Sequence, residues 1–397
     1  MLFARQVQGE KMKARNGFVI VAALVAAPAA AHHGIGTFDT RREITVAGSV
    51  TGIDFVNPHA YLYLDATGAD GKVAAWKCEM RSATTLRRSG WSPEMFKPGT
   101  PVTITGAPDR NNPTSCYLTT IVFADGTSAD RYGQLSQAPA PRPTAERAAR
   151  LSSGEPNLAG DWAPEQLVMT DPRGRGGALV PLSQAPTFEP GANTAENARQ
   201  YRTREVALTP DGQKAADAFQ TYNPQHNPRM RCETTSIIFD WTYDGAVNRI
   251  TQTADTVTLE YGQYGFARTV HLNVAEHPAN VAPSRAGHSI GRWENDVLVV
   301  DTVGFAPGVL SPPVMHTGRL HVVERFSLDP AGPTLLRSYT AEDPEYLAGT
   351  YSGRDMLAVA DIAYSPDKCS ELTDHSQDGQ PPPAVLAPAK PWWKFWD

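Results

Sequence analysis

Apolar and polar residues alternate along most of the chain, and turn residues separate the alternating segments, a pattern that predicts β-strands. Five such segments precede residue 127, at 44–55, 59–64, 73–80, from 102 onward and 116–123. Between the third and fourth, Ser82 is a good N-cap for a short helix that ends at Gly90. Five strands with a short helix in this position predict a small barrel of the oligonucleotide/oligosaccharide-binding (OB) type.

The second half of the chain has a denser run of the same pattern. Thr209 and Pro210 predict the start of a helix that reaches about Phe219. Three hairpins are predicted from paired segments, 256–261 with 266–272, 289–293 with 297–303, and 320–328 with 334–340. A last strand is predicted over 354–362. Consecutive hairpins favour a larger antiparallel barrel. The Gly160-Asp161-Trp162 start of this region resembles that of the calycins.

The fold class is therefore all-β, with an OB-like barrel followed by a larger calycin-like barrel. Changes in composition set the expected boundaries: a signal peptide over 1–31, the first barrel over 32–132, a Pro/Ala-rich linker over 133–157, the second barrel over 158–375, and a Pro-rich tail over 376–397.

The first 31 residues have the composition of a secretory signal. An apolar run from Phe18 to Ala31 ends in three alanines and follows Lys11, Lys13 and Arg15. Such a segment is too short and too rich in Ala to be a spanning helix, and it predicts export followed by cleavage after Ala31. We expect a periplasmic or secreted protein.

Charge and cysteine content indicate which partners are excluded and whether the cysteines form disulfides. The formal net charge is −6, and an acidic chain argues against nucleic acid as a partner, because nucleic-acid binding requires basic surfaces. The four cysteines lack the close spacing of a metal site, and in an oxidising compartment they predict disulfides. We favour the pairs Cys78–Cys116 and Cys232–Cys369, because each pair then stays within one expected domain.

Several motifs in both halves resemble known bacterial families. In the first half these are His32-His33, 47–50, Asn57-Pro58-His59, 86–91 and 97–99, and together they resemble a family of secreted bacterial domains of unknown function. In the second half, 287–294, 298–302 and 320–326 resemble an uncharacterised bacterial family, with departures at 233–235 and 317–319. The resemblance implies an exported pair of domains and supplies no mechanism.

The second half also concentrates ionisable residues near predicted strand ends: His288, Arg292, Asp301, His316, His321 and Glu324. If residues 288–292 form a strand, His288 and Arg292 share one of its faces. An imidazole near a carboxylate forms an acid–base pair that works near neutral pH. We therefore expect His288, Arg292 and His321 to line the polar end of the barrel interior as catalytic residues, and an enzyme of this kind would be an isomerase or a hydratase/lyase. Ion pairs at the barrel ends are the alternative interpretation.

Aromatic residues of the second half indicate what kind of ligand the barrel would bind. Tyr261, Phe266 and Trp293 would line an apolar cavity for a small apolar molecule, or they would simply pack in the core. The leading functional hypothesis is that the second barrel binds such a molecule and transforms it by acid–base chemistry.

Two hypotheses of other classes stay open. Cleavage after Ala31 would place a free amine beside His32 and His33, which with His59 would suit copper(II) as a cofactor or cargo. The second is a structural envelope protein that docks on a membrane surface through aromatic residues of its tail: Trp392, Trp393, Phe395 and Trp396.

The Gly287–Gly291 segment also fits the G-x-S-x-G pattern of hydrolase nucleophiles. That motif requires a helix after the serine, whereas a hairpin is predicted here, so we interpret the match as chance.

Overall fold

The structure is a computed structural model that describes residues 38–68, 70–131, 148–169, 179–181, 206–221, 223–243, 246–366 and 369. His32, His33, the expected signal peptide, most of the expected linker and the aromatic tail lie outside these residues. The strands of the first half are β1 (Ile44–Asp54), β2 (Tyr61–Thr67), β3 (Val73–Glu79), β4 (Pro101–Pro108), β5 (Ser115–Phe123) and β6 (Ser128–Asp130).

The first five strands form the predicted closed barrel, and their order around it is β1-β2-β3-β5-β4. Closure comes from the parallel pairing of β3 with β5, beside the Cys78–Cys116 disulfide. The core contains buried side chains such as Leu62, Leu64 and Ile104. The expected helix is α1 (Ala83–Arg88), and its first turn is capped because the Ser82 hydroxyl accepts a hydrogen bond from Thr85 N. The alternation of residues did not predict the short edge strand β6.

The remaining strands are β7 (Gly160–Ala163), β8 (Leu167–Met169), β9 (Leu179–Pro181), β10 (Asn248–Gln252), β11 (Thr256–Glu260), β12 (Ala267–His271), β13 (His288–Glu294), β14 (Val297–Val303), β15 (Gly308–Ser311), β16 (Val314–His316), β17 (His321–Leu328), β18 (Thr334–Glu342) and β19 (Tyr351–Val359). One helix, α2 (Pro210–Ala218), has the predicted cap at Thr209.

Nine of these strands close a second barrel in the order β10-β11-β12-β13-β14-β17-β18-β19-β7. All neighbours are antiparallel except β12 and β13, which are parallel. A parallel pair requires the chain to cross back to the starting end of the next strand. The crossover here is the loop of residues 272–287, and it determines the geometry of the site described below.

Both favoured disulfides are present, Cys78–Cys116 and Cys232–Cys369, and the described residues contain no free cysteine. Disulfides persist in oxidising environments, so this pairing indicates an extracytoplasmic type of compartment. Within the described part of the chain, no helix has the length and apolar character needed to cross a membrane.

Candidate functional site

The inward face of the second barrel is filled by the protein's own side chains. Residues 234–241, which we call the plug, pack against this face. Tyr261 Oη donates to the Ile237 carbonyl at 3.0 Å, and Arg337 donates to the carbonyls of Ile237 and Ile238 at 3.1 Å each. Trp241 is fully buried and meets the Tyr261 ring edge-on at 5.1 Å. The plug therefore occupies the space in which a ligand was expected.

A buried ion network lies beside the plug. Glu324 on β17 is fully buried between two guanidinium groups, Arg268 at 2.5 Å and Arg337 at 3.1 Å. Arg337 also contacts Asp355 at 2.6 Å, so that two acidic and two basic groups balance in charge. Burial raises the pKa of Tyr261 to about 12, and its hydroxyl remains a neutral hydrogen-bonding group. Because a buried charge requires such partners, this network belongs to the structural interior.

The expected placement of His288, Arg292 and His321 in this interior is wrong, because all three lie on the outer face of their strands. Ser289 and Gly291 alternate with His288 and Arg292 along β13, and it is the former pair that is buried. Glu324 faces inward on β17, so its neighbour His321 faces outward. The pattern of charges along one strand cannot fix which face of the sheet is inward, and here the smaller residues of β13 take that face.

His288 and His321 nevertheless come together, on the outer surface of the barrel. His288 begins β13, His321 begins β17, and Asp301 lies on β14 between these strands. The loop of residues 272–287 brings His277 onto the same surface. His277 Nδ1 lies 2.9 Å from His288 Nδ1, and its Nε2 lies 3.1 Å from Asp301 Oδ1. His321 Nε2 lies 3.0 Å from the same oxygen.

These four side chains form a hydrogen-bonded chain in the order His288, His277, Asp301, His321, which we call the relay. Asp301 is the acceptor for both imidazoles that contact it, so His277 and His321 each donate from Nε2. A neutral His277 then accepts at Nδ1 from His288 Nδ1–H. This assignment leaves lone pairs on His288 Nε2 and His321 Nδ1, and neither atom has a hydrogen-bond partner among the described residues.

A fifth group adjoins the relay. The ring of His271, at the end of β12, stacks on that of His288 at a centroid distance of 5.4 Å and an interplanar angle of 17°. Burial, followed by the neighbouring His277 and His271, lowers the pKa of His288 below its ordinary value of 6.5. His288 is therefore a neutral base at neutral pH.

The relay is a chain and not a metal-binding shell. Among the described residues, no three His, Cys, Asp or Glu side chains are placed to hold a metal ion together. What the arrangement can do is accept a proton at His288 Nε2, pass the Nδ1 proton to His277, and stabilise the resulting His277 cation against Asp301.

The other predicted site residues lie apart from the relay. Arg292 is exposed and pairs with Glu294 at 2.7 Å, while His316 is buried with its Nδ1 2.9 Å from the Thr317 carbonyl oxygen. His59, in the first barrel, lies 3.3 Å from Glu79.

The three residues expected to bind the ligand belong to the core of the second barrel. Phe266 packs edge-on against Tyr261 at 4.9 Å, and Trp293 is partly buried against the same core. Ser289, in the G-x-S-x-G segment, faces inward and contacts Thr302 Oγ1 at 2.9 Å, and no helix follows it. The core-packing interpretation of the aromatic residues agrees with these contacts.

Sequence reasoning missed His271 and His277. One signal was available, because His271, His277 and His288 are three of the ten histidines and fall within 18 residues. The parallel pairing that folds this stretch back on itself could not be inferred from local patterns.

Among known proteins, a family match is found for the first barrel. No curated protein and no solved structure matches the chain. Residues 20–117, which include β1 to β4 and the beginning of β5, match a family of unknown function (DUF6152), so an unknown-function domain family accounts for this part of the chain.

Proposed function

We propose that the second barrel catalyses proton transfer on a small molecule at its outer surface, with His288 as the general base and the relay as the path that disperses the proton. The observation that carries the proposal is the unbroken sequence of contacts from His288 through His277 and Asp301 to His321, each between 2.9 and 3.1 Å.

The chemistry follows from the ends of the relay. A general base must be neutral and accessible, and the lowered pKa of His288 favours its neutral form at neutral pH. His321, whose side chain is 42 % exposed, offers a second lone pair at the opposite end. After the transfer, His288 carries its proton at Nε2 and can return it to another atom of the substrate while His277 gives the Nδ1 proton back. A base that becomes an acid in this way suits isomerisation, or the addition and loss of water, which are the reaction types expected from the sequence.

The proposed setting is the periplasm or the cell exterior. The basic and apolar composition of residues 1–31 supports export, and the two disulfides support an oxidising compartment. The substrate would be a small molecule that carries an acidic C–H group.

A substrate-independent test uses 5-nitrobenzisoxazole, a neutral molecule that opens to a coloured phenolate when a base removes its carbon-bound proton and the N–O bond breaks. We expect the protein to accelerate this reaction and His288→Gln to lower the rate by about 10-fold or more, since general-base catalysis contributes roughly 10²–10⁴-fold. His226→Gln is the matched control, because His226 contacts Gln220 outside the relay. Equal rates for wild type and His288→Gln would reject the proposal.

A further inference from the structure

The crossover loop of residues 272–287 is anchored at both ends. At its start, Leu272 N donates to the Asp255 carbonyl at 2.8 Å. At its end, Ser284 N donates to the Gly304 carbonyl at 3.1 Å, and Ala306 N donates to the Ser284 carbonyl at 2.8 Å. These bonds continue the sheet and hold the two ends in place.

The span between the anchors, residues 274–283, is held by two side chains. His277 and Val281 are its half-buried residues, and the others are exposed. Within the described structure, the side-chain hydrogen bonds of this span are those that His277 makes to His288 and Asp301, and residues 279–280 form a turn. Val281 contacts Gly304, where an added Cβ would lie 2.3 Å from Val281 Cγ1.

Such a span has little to keep it closed. A segment with few buried apolar contacts and few backbone hydrogen bonds lies at the low end of local stability. When it moves, His277 leaves its two partners, and the relay divides into an isolated His288 and an Asp301–His321 pair. The continuity of the relay thus depends on where the loop is.

We infer that His277 is a positioning residue for the proposed proton transfer, carried on a movable loop that completes the relay only when it is closed. The inference rests on the proposed function, since it assigns the part of His277 in that same reaction. His277 links His288 to Asp301 because an imidazole has two ring nitrogens that can each exchange a proton.

Chemical rescue separates this role from a structural one. In His277→Ala, free imidazole can occupy the vacated place and join the same two partners, whereas 1-methylimidazole has the same ring with one nitrogen blocked. We expect His277→Ala to lower the 5-nitrobenzisoxazole rate by about 10-fold. Added imidazole should restore part of the rate beyond its own reaction in solution, and 1-methylimidazole should not. His226→Ala, treated in the same way, should show neither loss nor rescue.

The outcomes distinguish the two proposals. A full rate in His277→Ala, with the rate lost in His288→Gln, overturns the positioning role and leaves the proposed function standing. Equal rescue by both azoles also overturns it, because filling space would then be sufficient. Unchanged rates in both His288→Gln and His277→Ala overturn the proposed function itself.

Discussion

Asp301 Oδ1 accepts hydrogen bonds from two imidazoles, His277 at 3.1 Å and His321 at 3.0 Å. A single carboxylate oxygen thereby fixes the proton-bearing nitrogen of both rings, and its negative charge stabilises whichever ring becomes a cation. The lone pair of each ring is then on Nδ1, where His277 accepts from His288 and His321 has a free acceptor.

Replacing this carboxylate by an amide tests that role. In Asp301→Asn the shape is kept and the charge is lost, so an imidazolium on His277 is no longer stabilised. We expect the rate of proton abstraction from 5-nitrobenzisoxazole to fall by about 10²-fold. The control is Asp296→Asn, because Asp296 is an exposed partner of Arg150 at the β13–β14 turn. Equal rates for the two variants would remove Asp301 from the mechanism.

His271 should tune the pH at which the relay works. Burial is the first cause of the lowered pKa of His288, and the electrostatic influence of the neighbouring His277 and His271 adds to it. Removing His271 as His271→Gln should raise the pKa of His288 toward 6.5, so the acid limb of the pH–rate profile should move to higher pH. The measurement is that profile, together with an NMR titration of the His288 ring. An acid limb that stays in place, or moves to lower pH, would contradict this reading of the stack.

Two glutamates allow a test of how burial changes the contribution of an ion pair to the free energy of unfolding. Glu324 lies between Arg268 and Arg337 in the barrel interior, and Glu294 lies between Arg292 and Arg325 on its surface. Glu324→Gln leaves buried charge uncompensated, and we expect it to lower the free energy of unfolding by about 3–5 kcal/mol in urea titrations. Glu294→Gln should leave the unfolding midpoint close to that of the wild type, because water screens the exposed pair. Similar losses in both would show that burial is not the deciding factor.

The loop should open when either of its two contacts is removed. Glu276 is exposed within the span, so a glutamate-specific protease can cut after it once the span moves away from the sheet. We expect faster cleavage at Glu276 in Val281→Ala and in His277→Ala than in wild type, measured by mass spectrometry of the fragments. Val274→Ala is the matched control, since Val274 lies in the same span and is 40 % exposed. Equal cleavage in Val281→Ala and Val274→Ala would show that the Gly304 contact does not hold the loop.

The fold class could be predicted because strands and turns are determined largely by residues that are close in sequence. The alternation of β1 and the N-caps at Ser82 and Thr209 each depend on residues close in sequence, and each was found where expected. Cys78 and Cys116 were paired on the assumption that each disulfide stays within one domain, and the structure places them on adjacent strands.

The site could be predicted only in part. Periodicity placed His288 and Arg292 on one face, but not which face is inward, and that choice depends on how Arg268, Glu324 and Arg337 pair across strands far apart in sequence. Arg292 turned out to lie with Glu294, away from His288. His277 joined the site through the parallel pairing of β12 with β13, which local patterns do not encode.

The Cys232–Cys369 bond has a mechanical consequence. Its two ends are 137 residues apart, and all strands from β10 to β19 lie between them. A pulling force applied at the two termini would pass through the sulfur bridge and bypass this stretch, which amounts to up to about 490 Å of extended chain. Eight of the nine barrel strands would bear no force, and β7 is the barrel strand that the force could detach. A reductant is therefore needed before a force applied at the two termini can extend the whole chain.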